Sequence, residues 1–439
     1  MLDQSKTPAQ QFFSFAIPAT INMILTSFIT VIDGLFVGRF IGESALAAIS
    51  LNTPILLFFI GITLMFSVGG SVRTSHALGA QNPKEANKNF NQCFVTIVFV
   101  LVILFLALFC FLSPITRLLS SGKEVGGLLE EYTGIMRFFY PIQMLNMTFY
   151  VFFRVQGKPQ LPLFLGLIGN VINIILDYLF IVRFNLGIKG AAFASGISII
   201  LPFLINFYLY STRDNILFFD KFKFEKKILV DSIFNGSSEF IGQISTCVCI
   251  IMLNIILLKH EGKSGVAAYS IIMHICNLQA MIITGFTIGL GPIVGFYYGA
   301  KNKDKIFQVY RVSIISGVIV GIIFTMGIVL FHSNIAQTFA PGNERILNYA
   351  KLFYSITSIA CVFNGVNFLT SSCFTAMGKA KESFVISILR GMLIYIILGI
   401  ILPPILKGSS VWFFYPTAEI LTMAVSVILI NRYYRKVSL

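Results

Sequence analysis

Long apolar runs, separated by short polar turns, set the character of this chain. Twelve of them are long enough to cross a bilayer, which takes about 20 residues in a helix. They lie near residues 12–37, 46–70, 91–113, 133–153, 160–182, 190–210, 234–258, 265–297, 308–331, 350–377, 383–402 and 411–431. Most connections are short. The longest falls between the sixth and seventh runs and contains TRDNILFFDKFKFEKK. Its charge marks it as a linker between two halves. The pattern therefore predicts an all-α polytopic membrane protein with twelve transmembrane helices. It divides into an N-terminal six-helix bundle (1–212), a cytoplasmic linker (213–233) and a C-terminal six-helix bundle (234–439).

Composition agrees. Of 439 residues, 56% are hydrophobic and 11% charged, against about 25% charged in an ordinary soluble domain. Mean hydropathy is +0.85. A soluble globule could not hide so much apolar surface. The net charge of +14 does not point to nucleic acid, because the basic residues punctuate apolar runs instead of gathering in one soluble segment. The seven cysteines (Cys93, Cys110, Cys247, Cys249, Cys276, Cys361 and Cys373) all lie in apolar stretches without metal-ligand spacing, and read as reduced thiols. No small-residue cleavage site follows the first run, so it reads as a retained span.

Lysine and arginine set an expected orientation. Alternate segments, starting with the N-terminal one, hold 20 of them, the opposite loops 10, and the spans Arg137 and Arg390. That bias places both termini in the cytoplasm. The halves also echo each other. GESALAAIS (42–50) aligns with GKSGVAAYS (262–270), and LGAQN (78–82) with YGAKN (298–302), at an offset of 220. Residues 42–86 hold 12 identities in 45 positions, where so biased a composition would give roughly three or four by chance. FRVQGKP (153–159) echoes FTAMGKA (374–380) at offset 221. Six spans per half give both halves the same polarity, a parallel repeat typical of transporters.

Polar residues inside spans are costly, so their alignment is informative. In the first run Asn22, Thr26, Thr30 and Asp33 are spaced 4, 4 and 3, one helical face. In the fifth, Gly166, Asn170, Asn173 and Asp177 are spaced 4, 3 and 4. Asp33 lies six residues before Arg39, Asp177 six before Arg183, and Ser195 six after Lys189. Asp33, Asn173, Asp177 and Ser195 can thus share one layer. Salt bridges from the aspartates to Arg39 and Arg183 are the structural alternative. The second half shows weaker stripes: Glu239, Gln243 and Thr246 in the seventh run, Asn364, Asn367 and Ser371 in the tenth. Glu239 reads as lying near the start of its span, Glu419 and Arg390 could pair, and His274 reads as a packed histidine. Met144, Met147, Phe149, Phe152 and Phe153 in the fourth run offer surfaces for lipophilic cations. No P-loop, H-E-x-x-H motif or soluble catalytic domain is present, so no enzyme and no cofactor is expected.

The motifs VIDGLFVGRFIGESALAAISLNTPI, LGAQNPKEA, NVINIILDYLFI, GIKGAAFASGIS and the repeated GKSGVAAYS…YYGAKN together resemble the multidrug and toxic compound extrusion (MATE) family, nearest its MepA-like bacterial branch. The resemblance covers nearly the whole chain. It implies two pseudo-symmetric six-helix bundles, alternating access through a V-shaped cleft, and export of lipophilic, mostly cationic compounds by proton or sodium antiport. It further implies an ion-coupling site at Asp33, Asn173, Asp177 and Ser195, with Ser195 standing where relatives carry threonine. Sodium at Asp33 and Asp177 is the alternative to a proton. Cleft candidates are Asn22, Thr26, Thr30, Asn170, Met144, Met147, Phe149, Glu239, Gln243, Asn364 and Asn367. A second-half site built on acids of the seventh and tenth helices is not expected, because the tenth run has no acid. A multi-pass monomer in the bacterial plasma membrane, binding no nucleic acid, completes the expectation. A lipid-linked precursor flippase or a non-transporting scaffold remains as an alternative.

Overall fold

The fold comes from a computed structural model that describes residues 5–120 and 123–438. Twelve long helices follow one another: α1 (Pro8–Phe40), α2 (Glu43–Gly79), α3 (Pro83–Cys110), α4 (Lys123–Val155), α5 (Gln160–Arg183), α6 (Gly187–Ser211), α7 (Lys226–His260), α8 (Gly262–Gly299), α9 (Lys303–Phe339), α10 (Glu344–Ala376), α11 (Ala380–Ile401) and α12 (Val411–Ser438). A short helix, Leu112–Leu119, joins α3 to α4. No strand occurs among the described residues. Ten of the helices are apolar enough to qualify as spans by composition. The other two, α4 and α7, also have the length, 33 and 35 residues. Most helices outrun their apolar runs because they continue past the hydrocarbon layer, where an apolar count stops.

Local sequence explains the helix starts. At α1 the Thr7 hydroxyl accepts from Gln10 N–H (3.3 Å), and the Gln10 side chain accepts in return from Thr7 N–H (3.0 Å). This is a capping box, with Pro8 supplying the first helical residue. Asn82 caps α3 by accepting from Glu85 N–H, and Asn302 caps α9 by accepting from Lys305 N–H, both at 3.1 Å.

The internal repeat is written into the backbone as well. Gln81 and Lys301, 220 residues apart, both take the left-handed conformation (φ 57° and 56°), which few side chains accept. Gly157 and Gly378 match in the same way (φ 83° and 71°), and Gly42 and Gly262 both take positive φ, at 123° and 66°. The echoes in the sequence are thus turns of the same kind at equivalent places.

Two compact units result. The first comprises Ile21–Gly236 and Gly299–Lys301. At its centre Phe90, Phe94, Phe149, Tyr210 and Phe219 stack with centroid distances such as 4.9 Å (Phe149–Tyr210) and 5.1 Å (Phe94–Phe149). Phe149 and Met144, expected at a binding surface, lie in this packed interior instead; Phe149 is fully buried. Phe152 and Phe153 are buried as well, and Met147 is half-buried. The segment expected to be a linker is strapped to this unit. Asn91 donates to Phe218 C=O (2.9 Å) and accepts from Asp220 N–H (3.0 Å). Gln92 does the same with Glu225 C=O (2.7 Å) and N–H (3.0 Å). Lys88 pairs with Glu225, and Arg73 with Asp231.

The second unit comprises Ser237–Tyr298, residues 302–438 and residues 8–20 of α1. Its core gathers Trp412, Phe353, Tyr349 and Tyr354, with Phe353 stacked on Trp412 at 5.1 Å. Residues 8–20 are held there by Tyr297, whose hydroxyl donates to Gln11 (2.8 Å), and by Phe12 against Phe286. Because α7 begins at Lys226, Glu239 stands thirteen residues into the helix and not at its start. Six cysteines are free thiols. The side chain of Cys247 lies outside the described residues.

Candidate ion-coupling site

The site is built where α1 and α5 run side by side within the first unit. Residues eleven apart on a helix return to within about 20° of the same line. Asn22 and Asp33 are such a pair on α1, and Gly166 and Asp177 on α5. Both levels make contact. Asn22 is buried against Gly166, where a Cβ would meet its Oδ1 at 2.6 Å. Eleven residues on, the carboxyl groups of Asp33 and Asp177 come within hydrogen-bonding reach of each other. A side chain at Gly166 would have to displace the Asn22 amide.

A bond between the two carboxyls has a chemical requirement. A carboxylate has no proton to donate, so the two acids can bond to each other only when one of them is protonated. Two carboxylates in a poorly solvated layer cannot both ionise cheaply. Asp177 is 1% exposed and Asn173 is buried one turn before it, while Asp33 is half-buried. Asp33 Oδ1, Asp177 Oδ2 and the amide nitrogens of Asn170 and Asn173 find no partner among the described residues. Neither aspartate forms an ion pair among the described residues, so the expected alternative with Arg39 and Arg183 is not made. Immediately after Asp177 the helix widens into a π-type turn, Tyr178–Arg183. Such turns often accompany functional positions.

Ser195 of α6 is brought in through a residue that sequence reading missed. Tyr132 of α4, 7% exposed, shares a hydrogen bond with Ser195 and lies within electrostatic reach of both aspartates. Its neighbour Glu131 pairs with Lys189 at 2.9 Å. An isolated tyrosine among aromatic-rich spans carries no pattern of its own. Its only sequence signal was a place in the N-terminal half of α4, next to Glu130 and Glu131.

Other candidates separate from this layer. Thr26 and Thr30 are exposed, and their hydroxyls bond back to Asn22 C=O (2.8 Å) and Thr26 C=O (3.1 Å). Thr30 is turned about 80° from Asn22, which carries it off the contact line. In the second unit, Asn364 and Asn367 of α10 converge on Glu419 of α12. Asn364 Nδ2 donates to Oε1 (3.2 Å) and Asn367 Nδ2 to Oε2 (2.7 Å). The expected Glu419–Arg390 pair is not formed. Arg390 lies over the Phe368 ring, and Glu419 takes the amides instead. Glu239 and Gln243 are half-buried. His274 faces outward and meets Ser270 C=O at 2.6 Å.

Comparison with known proteins decides what kind of molecule carries this site. A family model described as MatE matches twice, over residues 18–179 and 240–401. The chain belongs to the MatE family. The two matches begin 222 residues apart, close to the offset of the internal repeat. Among named relatives, "Probable multidrug resistance protein YoeA" of Bacillus subtilis is 28% identical over 96% of this chain and 92% of its own length. "Multidrug export protein MepA" of Staphylococcus saprophyticus is 26% identical over 87% and 84%. The fold matches a MOP superfamily transporter from Pyrococcus furiosus with TM-score 0.92 at 21% identity, over 99% and 97% of the two chains. It matches a mutant of the Vibrio cholerae MATE transporter VcmN with TM-score 0.91 at 20% identity, over 98% and 97%. MatE proteins are multidrug efflux transporters and not enzymes. The twelve helices in two six-helix halves are this family's fold, and this MatE protein is a multi-pass membrane transporter.

Proposed function

We propose that this transporter exports lipophilic, mostly cationic small molecules from the cytoplasm by proton antiport with alternating access. One observation carries the reading: the Asp33 and Asp177 carboxyls face each other within hydrogen-bonding reach, a contact that a shared proton would satisfy. The pair holds that proton when its layer meets the acidic exterior and releases it toward the cytoplasm. Asn173 and Ser195 complete the polar layer. No resident cofactor takes part. Sodium is the competing coupling ion, held by the open oxygens of Asp33 and Asp177 with the Ser195 hydroxyl. It would need both acids ionised and their contact opened, so the geometry favours the proton. The repeat units are residues 1–212 and 234–439 joined by 213–233, acting as a monomer in the bacterial plasma membrane with both termini cytoplasmic. A flippase reading finds less support, because Arg137 and Arg390, the basic residues within the apolar runs, each lie over a phenyl ring of their own unit.

The test is efflux of a fluorescent cation from proteoliposomes, first under an imposed proton gradient and then under a sodium gradient. Efflux should follow the proton gradient and ignore sodium. Efflux driven by sodium alone would replace the proton reading.

A further inference from the structure

The repeat brings out an acid that the first half lacks. In the first unit Asn146 of α4 donates to the backbone carbonyl of Ile199 in α6 (2.9 Å) and accepts from Asn206 (2.7 Å). In the second unit Asn367 of α10 donates to the backbone carbonyl of Glu419 in α12 (2.8 Å) and accepts from Ser426 (2.9 Å). Asn146 and Asn367 are 221 residues apart. Ile199 and Glu419 are 220 apart, as are Asn206 and Ser426. The two knots are one architectural device used twice. At its centre the first unit has an isoleucine, and the second has a glutamate that is only 3% exposed. The device holds its helices together without an acid in the first unit, so packing does not require one in the second.

Charge balance around Glu419 points further. Arg390 of α11 acts electrostatically on both Glu419 and Glu239 of α7, yet forms no ion pair with either among the described residues. Among the described residues, the other titratable groups near Glu419 are Tyr395 of α11 and Tyr415 of α12, with Tyr269 and Cys249 beyond Tyr395 and Cys361 and Cys276 beyond Tyr415. These are neutral when protonated. Two carboxyls therefore share one guanidinium, and a neutral cluster must hold one proton. Glu419 is the acid equipped to carry it. Ionised, it accepts from the amides of Asn364 and Asn367. Protonated, it needs an acceptor, and Asn364 Oδ1 is buried with no donor of its own. A half-turn of that amide presents its oxygen in place of its nitrogen, so one side chain serves both states.

We propose that Glu419 is a second proton-binding acid, housed in the second unit, which exchanges its proton during transport. This rests on the antiport reading of Asp33 and Asp177.

The experiment counts protons. Purified transporter in weakly buffered detergent is titrated with tetraphenylphosphonium, and release is followed with a pH indicator. Glu419→Gln, which keeps an acceptor oxygen for the amides, should bind the cation and release about one proton fewer than the parent, as the cluster's single excess acid requires. The Asp33→Asn/Asp177→Asn double variant should still release protons, and adding Glu419→Gln to it should abolish them. Equal release from Glu419→Gln and the parent would overturn the proposal. So would a double variant that binds the cation and releases nothing, an arm that decides the matter even where Glu419→Gln fails to fold. A parent that binds the cation without releasing protons would instead overturn the antiport reading itself.

Discussion

An aspartate near the end of an apolar helix is tolerated when its charge can be cancelled locally. Asp33 meets this condition through Asp177, because the eleven-residue intervals on α1 and α5 bring the acids together above the Asn22–Gly166 contact. Replacing either acid by asparagine keeps the size and a polar partner but removes the titrating group. Asp33→Asn and Asp177→Asn should each reduce proton-driven efflux to the level of protein-free liposomes, with folded protein still reconstituted. Parental rates in both would make the acids structural. Tyr132 acts more gently, by orienting Ser195 beside the pair. A neutral hydrogen bond is worth about 0.5–1.5 kcal/mol net. Tyr132→Phe should therefore slow efflux by about two- to tenfold, as read from initial rates at fixed gradient.

At the scale of helices, periodicity made the acid layer legible, since polar groups recurring at spacings of 3 and 4 in a membrane span mark a face turned away from lipid. On the same stripe Thr26 and Thr30 are exposed, and their hydroxyls bond back to their own helix. The sequence pattern misled at Met144 and Phe149, because an apolar side chain in a greasy helix gives no sign of which neighbour it meets. Glu419 was visible as a residue but not as a partner of Asn364 and Asn367. Helices α10 and α12 are remote in sequence, and only tertiary packing joins them. Close approach is equally silent in sequence. On α7, a Cβ at Gly236 would run into the Met65 carbonyl, whereas Gly242 has open space around it. Gly236→Val should cost about 1–3 kcal/mol of overpacking. Gly242→Ala should raise stability by about 0.5–1 kcal/mol through helix propensity. Thermal melting of the two variants in detergent gives the comparison, and a Gly236→Val protein as stable as the parent would refute the assigned packing.

For the whole molecule, the basic bias sets a direction that can be checked at the strap. Lys221 is exposed on a segment pinned by Asn91 and Gln92, so a probe there reports one fixed side of the membrane. Lys221→Cys in a cysteine-free background should resist an impermeant maleimide in intact cells and react after permeabilisation. Labelling of intact cells would invert the topology.

Direction then governs energetics through the number of protons exchanged. If only the Asp33–Asp177 pair couples, one proton enters for each monovalent cation expelled, and no net charge moves. The membrane potential would then do no work, and only the pH difference would drive export. With Glu419 as a second carrier, two protons enter per cation and one net charge moves inward. A potential of 100 mV, interior negative, then adds about 2.3 kcal/mol to each cycle. Proteoliposomes clamped with a potassium gradient and valinomycin separate the cases at constant pH difference. The parent should export tetraphenylphosphonium faster, and to a steeper final gradient, as the potential of the compartment being emptied is made more negative. Since the exported cation itself redistributes with potential, leak through protein-free liposomes is subtracted at each setting. In Glu419→Gln the corrected potential dependence should vanish while the response to the pH difference remains. A parent whose corrected export ignores the potential would exchange one proton per cation, leaving Glu419 outside the coupling.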